Sequence, residues 1–276
     1  MHEASSWVVR NALMDNVAMA EQSAVERIAN TLDHIADEHS VQLHYACESG
    51  SRAWGFASED SDFDVRFIFV RPLEDYLVLK PRRDVIELPI IDDLDVKGWD
   101  IFKACRLLQK SNPSLIEWLG SPTVYIENTG LPKQLRDQAQ EHFSARACCE
   151  HSRSMATSIY KKYVNDRDVV IRKKYLYILR PIACIRWMLT HNTFAPTVFA
   201  DVLSGVDLSS DVHREIELLL HDKRKNHEMG EAPANPTLDA FIRGQLDSLP
   251  ESIRGIDPRV FPSDGLNDLI RSVLLG

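Results

Sequence analysis

The chain lacks several features that define whole classes of protein. Its 276 residues include only 5 cysteines, and no two of them have the CxxC spacing of zinc or redox motifs. A disulfide scaffold is therefore not expected, and the thiols should be reduced. No apolar run approaches the roughly 20 residues that cross a bilayer. The first twenty residues mix acidic and polar residues with apolar ones, which excludes a secretory signal and predicts a cytoplasmic protein without a membrane partner.

Basic residues are also in short supply. Lysine and arginine number 32 against 41 acidic residues, which gives a formal net charge of −9. Binding of nucleic acid by the whole surface is disfavoured, because phosphate binding needs clustered cations, but a local basic groove remains compatible with this balance. Hydrophobic residues make up 44% of the chain and charged residues 26%, as expected for a packed domain that needs neither disulfides nor a structural metal.

Hydrophobic periodicity divides the chain in two. Alternating or β-branched runs predict strands before residue 128, and 3.6-residue periodicity predicts helices beyond residue 143. The predicted strands are 41–47, 62–70, 84–91 and 94–98, after a helix over 21–40 and before another that starts at Trp99. The predicted later helices are 145–165, 169–190, 196–204, 209–228, 236–248 and 263–275. This pattern indicates an α+β N-terminal domain, residues 1–142, followed by an all-helical domain, residues 143–276.

Two aspartates stand out at the start of the second strand. Alternation places Asp62, Asp64 and Arg66 on one face of that strand and its aromatic residues on the other. Two carboxylates about 4 Å apart repel by about 1 kcal/mol in water and about 4 kcal/mol at an effective dielectric constant of 20, so a cation should lie between them. Arg66 is expected to point along the sheet towards its interior. A divalent ion, Mg²⁺ or alternatively Mn²⁺, therefore suits the pair better.

A third acid and a phosphate-binding turn complete the pattern. Asp95 lies between Leu94 and Val96 in a short strand, where it can join the first two acids around two metal ions that promote phosphoryl transfer. Gly50 and Ser51 lie in a turn ahead of Asp62, and their amides and the serine hydroxyl can donate to phosphate oxygens. Each motif alone is common in loops and strand ends, so the informative signal is their order along the chain.

These motifs together resemble the DNA polymerase beta-type nucleotidyltransferase superfamily, and more closely its predicted RNA-repair-pathway family. The similarity covers most of residues 40–245, and the matching stretches are 48–56, 61–67, 97–103, 111–113 and 173–181. The resemblance implies a small mixed β-sheet flanked by helices. It implies a nucleoside triphosphate as substrate, Mg²⁺ held by Asp62 and Asp64, and Asp95 as the acid near the acceptor hydroxyl. It also implies that the acceptor is RNA.

Two assignments within the resemblance need comment. Asp95 is counted as a third metal ligand, but Asp100 is a second candidate for the third acid. Asp95 is preferred for its apolar neighbours, because Asp100 lies at the expected start of a helix, where an acid is favoured for capping. Arg52 follows Ser51 in the matching turn and joins the predicted nucleotide-binding residues.

The helical half carries a local excess of positive charge. Residues 159–186 contain eight lysines and arginines against two aspartates. Within them Lys173, Tyr177 and Arg180 fall on one helix face, which predicts contacts with the triphosphate or base. A solvated basic face explains the same pattern about as well.

The sequence therefore predicts an enzyme that transfers a nucleoside monophosphate from a nucleoside triphosphate to an acceptor hydroxyl and releases pyrophosphate. The alternatives are a catalytically silent, regulatory or antitoxin-like binding module of the same fold, and a glycosyltransferase that uses the Asp-x-Asp motif. The preferred base, the identity of the acceptor and the oligomeric state are not encoded in any motif recognised here.

Overall fold

A mixed five-stranded β-sheet forms the first half of the molecule. The computed structural model describes residues 22–225 and 229–276. The strands are β1 (Gln42–Glu48), β2 (Phe63–Val70), β3 (Val85–Glu87), β4 (Leu94–Asp100) and β5 (Val124–Glu127). Their order in the sheet is β3-β4-β2-β1-β5, in which β2 and β4 are parallel and all other neighbours are antiparallel.

Helices cover both faces of this sheet. They are α1 (22–39), α2 (Gly50–Ala53), α3 (Ile101–Gln109), α4 (Pro113–Leu119), α5 (Leu131–His142) and the C-terminal helix α11 (Asp264–Leu275). The aromatic face of β2 packs on α1, as its alternating sequence predicts. The opposite face, with Ile68 and Val70, packs on α3, α4, α5 and α11. Asp64 shares this second face. It is the second residue of β2 and therefore lies at the start of the strand, ahead of these buried residues.

The second half is almost entirely helical. It consists of α6 (Ala145–Tyr163), α7 (Lys173–His191), α8 (Phe199–Ser204), α9 (Ser210–Lys225) and α10 (Pro236–Arg254), with a two-stranded sheet of β6 (Val169–Ile171) and β7 (Glu231–Pro233). These helices enclose a separate hydrophobic core. Phe56, from the segment between α2 and β2, is fully buried in that core, so the two halves are joined next to the predicted site.

The predicted fold class is confirmed, with a few local differences. Residues 169–171 form a strand instead of the start of a helix. They are β-branched, which favours a strand, and their backbone pairs with residues 231–233. Trp99 and Asp100 still belong to β4, and the helix begins at Ile101, where Asp100 accepts a hydrogen bond from the Phe102 amide. Strand β5 was not predicted. The division at residue 142 stays a prediction, and α11 packs back on the N-terminal helices.

The remaining fold-level expectations concern thiols and membranes. All five cysteines are free, as predicted, and all five are buried. Among the residues that the structure describes, no helix combines the length and the apolar character needed to cross a bilayer. The last three residues of the predicted helix 209–228 lie outside the described part of the chain.

Candidate active site

The parallel pairing of β2 with β4 brings two of the predicted acids side by side. Asp64 and Asp95 are direct partners in the register of these two strands. Asp62 lies one residue ahead of β2 and is exposed. Two carboxylates from separated segments of the chain therefore meet at one end of the sheet, and Asp62 precedes that end in the chain.

Arg66 bridges the two partnered acids. Its Nη2 atom donates to Asp64 Oδ1 at 2.8 Å and to Asp95 Oδ2 at 2.9 Å, and its Nη1 donates to the Asp95 carbonyl oxygen at 2.8 Å. The expectation that Arg66 points away from the acids is wrong. Its side chain turns back along the strand, because the paired carboxylates of β2 and β4 offer it two charge-assisted hydrogen bonds.

Burial and charge act together on Asp64. Desolvation raises the pKa of its carboxyl above the ordinary value, and the charges of Asp95 and Asp62 raise it further. The Arg66 guanidinium opposes this rise in pKa. The influence of Asp95 and Asp62 on Asp64 indicates that the negative charge is concentrated around Asp64, where a bound cation would be stabilised.

The oxygen atoms of this cluster fit a hard divalent cation. Asp95 Oδ1 is buried and accepts no hydrogen bond from any residue that the structure describes; the Lys97 ammonium lies 3.5 Å away and contributes charge only. Among the described residues, no three His, Cys, Asp or Glu side chains are arranged to hold a metal ion by themselves. Mg²⁺ is usually held by one or two carboxylates plus water and substrate phosphates, so two carboxylates such as Asp62 and Asp64 would be enough to hold it.

Gly50 brings the turn after β1 into contact with Asp64. Its φ angle is +60°, in the left-handed region, and a Cβ atom built on it would lie 2.0 Å from Asp64 Oδ2. The Ser49 amide donates to the Asp64 carbonyl oxygen at 2.9 Å and fixes the turn against β2. The backbone can approach this closely only because the residue has no side chain. Ser51, next in the chain, is buried in α2.

Substitution of Gly50 tests this contact. Gly50→Ala should lower the free energy of unfolding by about 1–2 kcal/mol, the cost of a left-handed non-glycine residue. Because the new Cβ displaces the Asp64 carboxylate, NTP-dependent transfer should fall at least about tenfold. Gly244→Ala is the matched control: Gly244 lies inside α10 with open space around it, so alanine should stabilise by up to about 1 kcal/mol and leave transfer unchanged. Equal transfer by both variants would contradict a role for the Gly50 turn.

Glu48 has a role that the sequence did not predict. Its carboxylate is 2% exposed; Oε1 accepts from the Asp64 amide at 2.8 Å and Oε2 from the Tyr125 hydroxyl. Burial raises the pKa of Glu48, although both hydrogen bonds act in the opposite direction. Glu48 thus fixes the backbone of Asp64 from the neighbouring strand. The only signal in the sequence was its position directly before the glycine–serine turn.

Arg52 contacts the protein itself. Its guanidinium donates to the carbonyl oxygens of Ser61, at 2.8 Å, and Asp62, at 3.3 Å, and lies 3.7 Å from the centroid of the Phe63 ring. Lys223 of α9 donates to the hydroxyls of Ser58, at 2.6 Å, and Ser61, at 3.3 Å. The segment that carries Asp62 is therefore held from both halves of the molecule, and Arg52 orients it.

The predicted face of α7 separates into two environments. Tyr177 packs edge-on against Trp54 with ring centroids 5.6 Å apart. Burial raises the pKa of Tyr177, and the charges of Asp64 and Asp62 raise it further, so the tyrosine lies within electrostatic range of the acids. Lys173 is the first residue of α7 and is half-buried.

Arg180 lies on the interior side of the same helix. It is 3% exposed, pairs with Glu117, donates to the Thr197 carbonyl oxygen at 3.0 Å and lies 4.5 Å from the Trp54 ring centroid. Glu117 also accepts from the Trp54 indole at 3.2 Å. Arg180 thus supports the wall of the site through Trp54. Sequence patterns could not reveal its partner, because Glu117 is 63 residues away.

Asp100 serves the fold. Its carboxylate accepts from the Phe102 amide and the Tyr76 hydroxyl, both at 2.8 Å, and is 4% exposed. It pairs with Phe69 at the far end of β2 from Asp64. Of the two candidates for the third acid, Asp95 is therefore the one beside the other carboxylates.

Comparison with known proteins identifies a family and similar proteins. A family model described as "RlaP: RNA repair pathway DNA polymerase beta family" matches residues 24–272. An uncharacterised protein of Bacillus subtilis (strain 168), YcgL, is 40% identical over 229 residues, which cover 83% of this chain and 88% of the relative. A crystal structure of a nucleotidyltransferase-like protein from Exiguobacterium sibiricum 255-15 covers 87% of this chain and 77% of its own, with 14% identity and a TM-score of 0.27. A TM-score that low does not establish a shared fold.

Proposed function

Because the chain belongs to the RlaP family, the DNA polymerase beta family of an RNA repair pathway, we propose that it is a divalent-metal-dependent nucleotidyltransferase. The acceptor hydroxyl oxygen forms a bond to the α-phosphorus of a nucleoside triphosphate. The bond from that phosphorus to the oxygen bridging to the β-phosphate breaks, and pyrophosphate leaves. The hydroxyl proton passes to a carboxylate, and the acceptor is RNA.

One observation carries this proposal. Asp64 and Asp95 are register partners on parallel strands, and the backbone of Gly50 is packed against the Asp64 carboxylate. The arrangement combines acidic ligands with a closely approaching backbone, as phosphoryl transfer requires. A glycosyltransferase would need the Asp-x-Asp pair but neither the glycine turn nor the partnered acid of β4.

Each acid has a distinct task in this proposal. Asp62 and Asp64 hold Mg²⁺, which when bound would neutralise the triphosphate and lower the pKa of the acceptor hydroxyl. Asp95, whose side chain is 14% exposed and lies beside Asp64, accepts the proton of the acceptor hydroxyl or orients that hydroxyl. Arg66 keeps the carboxylates of Asp64 and Asp95 at a fixed separation.

The remaining residues bind the nucleotide or support those that do. Gly50 and Ser51 face the β- and γ-phosphates in our proposal, and Lys173 contributes positive charge to the leaving pyrophosphate. Tyr177, beside Asp62 and Asp64, borders the nucleotide. Arg52 and Arg180 are assigned an indirect part, since their guanidinium groups are already bonded to the Asp62 segment and to Glu117.

A labelling assay tests the proposal. The full chain is incubated with Mg²⁺ and each α-labelled ribonucleoside triphosphate in turn, with and without a mixture of short RNAs. We expect one molecule of pyrophosphate for each label that enters RNA, and no transfer when EDTA replaces Mg²⁺. If no nucleotide gives pyrophosphate with any acceptor, nucleotidyl transfer is not the function.

A catalytically silent binding module is the second candidate, and one observation favours it. Arg66 bridges Asp64 and Asp95, and Lys97 lies 3.5 Å from Asp95, so these two acids are tolerated in the fold without a metal even if they catalyse nothing. The same assay separates the two candidates when it is combined with nucleotide-binding calorimetry. A silent module would bind a nucleotide without releasing pyrophosphate.

A further inference from the structure

A cluster of cations and aromatic rings lies where the end of α6 meets the start of α7. Lys162 Nζ is 4.9 Å from the centroid of the Tyr163 ring, and Lys174 Nζ is 4.5 Å from the same centroid. The hydrogen bond and charge of Lys162, with the charge of Lys174, lower the pKa of the Tyr163 hydroxyl. We name these three residues, Lys162, Tyr163 and Lys174, the basic–aromatic strip.

The charge of the strip is not used by the fold. No carboxylate of the described residues lies within ion-pair distance of Lys162 or Lys174, whereas many other cations of the molecule are paired. In a chain with a net charge of −9, two unpaired lysines held against one partly exposed tyrosine indicate a surface for an anionic ligand. Lys174 also lies in the first turn of α7, whose dipole adds positive potential at that end.

The strip is continuous with the candidate active site. Lys174 Nζ lies 5.5 Å from the centroid of the Tyr177 ring as well, so it contacts both tyrosines. Tyr177 in turn packs on Trp54 and is influenced by the charges of Asp64 and Asp62. A ligand that follows the strip therefore arrives beside the acids.

We infer that the basic–aromatic strip binds the single-stranded end of the RNA acceptor, next to the hydroxyl that reacts; this inference rests on the proposed function. The two ammonium groups bind phosphates of the RNA. As these flexible lysine side chains move from the ring of Tyr163 to the phosphates, an unstacked base can pack on that ring. The repeated pairing of a cation with a ring suits a polymer in which phosphates and bases alternate. A free mononucleotide would need only one such pair.

Anisotropy titrations of a labelled 12-nucleotide RNA, in EDTA and without nucleotide, test this inference on the full chain. Lys162→Ala/Lys174→Ala should raise the Kd roughly tenfold at 0.1 M salt and reduce the slope of log Kd against log salt by about 1.4, for two lost phosphate contacts. The matched control is Lys80→Ala/Lys110→Ala, which removes the same charge from exposed positions outside the strip and should bind as the wild type does.

The aromatic contribution is tested separately. Tyr163→Leu should weaken binding about fivefold or more, while Tyr163→Phe, which keeps the ring, should retain it. A duplex of the same RNA should bind more weakly than the single strand, because its bases are stacked inside the helix. The inference is overturned if both lysine pairs have the same Kd and salt slope, if leucine replaces Tyr163 without loss, or if single-stranded DNA binds more tightly than RNA.

The labelling assay distinguishes failure of this inference from failure of the proposed function. If the strip variants bind RNA normally while the wild-type protein transfers nucleotides, only the inference that the strip binds RNA is overturned. Loss of RNA binding in those variants, in a protein that releases no pyrophosphate, would overturn the nucleotidyl-transfer proposal and leave the strip as an RNA-binding surface.

Discussion

Asp64→Asn should abolish nucleotidyl transfer, lowering kcat/KM by about 10³-fold or more, equivalent to about 4 kcal/mol of transition-state stabilisation. Asparagine keeps the shape of the side chain but removes the negative charge that the metal requires. Because the amide oxygen can still accept from Arg66, the free energy of unfolding should change by about 1 kcal/mol or less. Steady-state release of pyrophosphate and urea denaturation measure the two quantities.

Asp93→Asn provides the matched control for charge. Asp93 makes an exposed ion pair with Arg27 and lies two residues before Asp95, so this variant removes one negative charge close to the site. Its carboxylate pairs with the exposed Arg27 and not with Arg66, and transfer should stay within about twofold of the wild type. If Asp64→Asn retained a tenth or more of the activity, Asp64 could not be a metal ligand.

Arg66→Met should be among the most destabilising single substitutions in the sheet, lowering the free energy of unfolding by about 3 kcal/mol. Methionine preserves the apolar stem and removes the cation, so Asp64 and Asp95 would face each other across paired strands with only the charge of Lys97 nearby. Arg27→Met is the matched control: it breaks the exposed pair with Asp93 and should cost no more than about 1 kcal/mol. Similar decreases in the free energy of unfolding in both variants would show that the Arg66 bridge stabilises the fold no more than an exposed ion pair does.

The decrease in the free energy of unfolding caused by Arg66→Met should depend on pH. The pKa of Asp64 is already raised in the folded protein, and Arg66 opposes that rise, so its removal raises the pKa further. A carboxyl whose folded pKa exceeds its unfolded value binds a proton more readily in the folded state, and stability then increases as pH falls. The deficit relative to wild type should therefore shrink between neutral pH and the ordinary aspartate pKa of about 3.9. Urea denaturation in metal-free buffer at several pH values measures it.

The sequence predicted what depends on local pattern. Alternation along 62–70 placed Asp62 and Asp64 on one face and the aromatic residues on the other, and the buried aromatic residues of β2 pack together on α1 as expected. Asp95 could be chosen over Asp100 from its apolar flanks. The expectation that an acid at Asp100 would cap a helix is confirmed.

What the sequence could not predict depends on pairing between distant segments. The bridge from Arg66 to Asp95 exists only because β2 and β4 are parallel neighbours in a register that aligns Asp95 with Asp64. The burial of Arg180 depends on Glu117, and the contact of Lys223 with Ser58 and Ser61 depends on the folding of α9 onto the opposite half. Charge counts and helix periodicity contain no information on such partners.

The position of Phe56 has a consequence for any attempt to shorten the protein. This ring lies in the core of the C-terminal helices, six residues before Asp62. Between these two residues, Ser58 and Ser61 accept hydrogen bonds from Lys223. A truncated chain that stops at residue 142 would expose Phe56 to water. The segment that leads to Asp62 would also lose its hydrogen bonds with Lys223. The helical half is thus part of the scaffold of the acids, and a minimal catalytic fragment would have to include it.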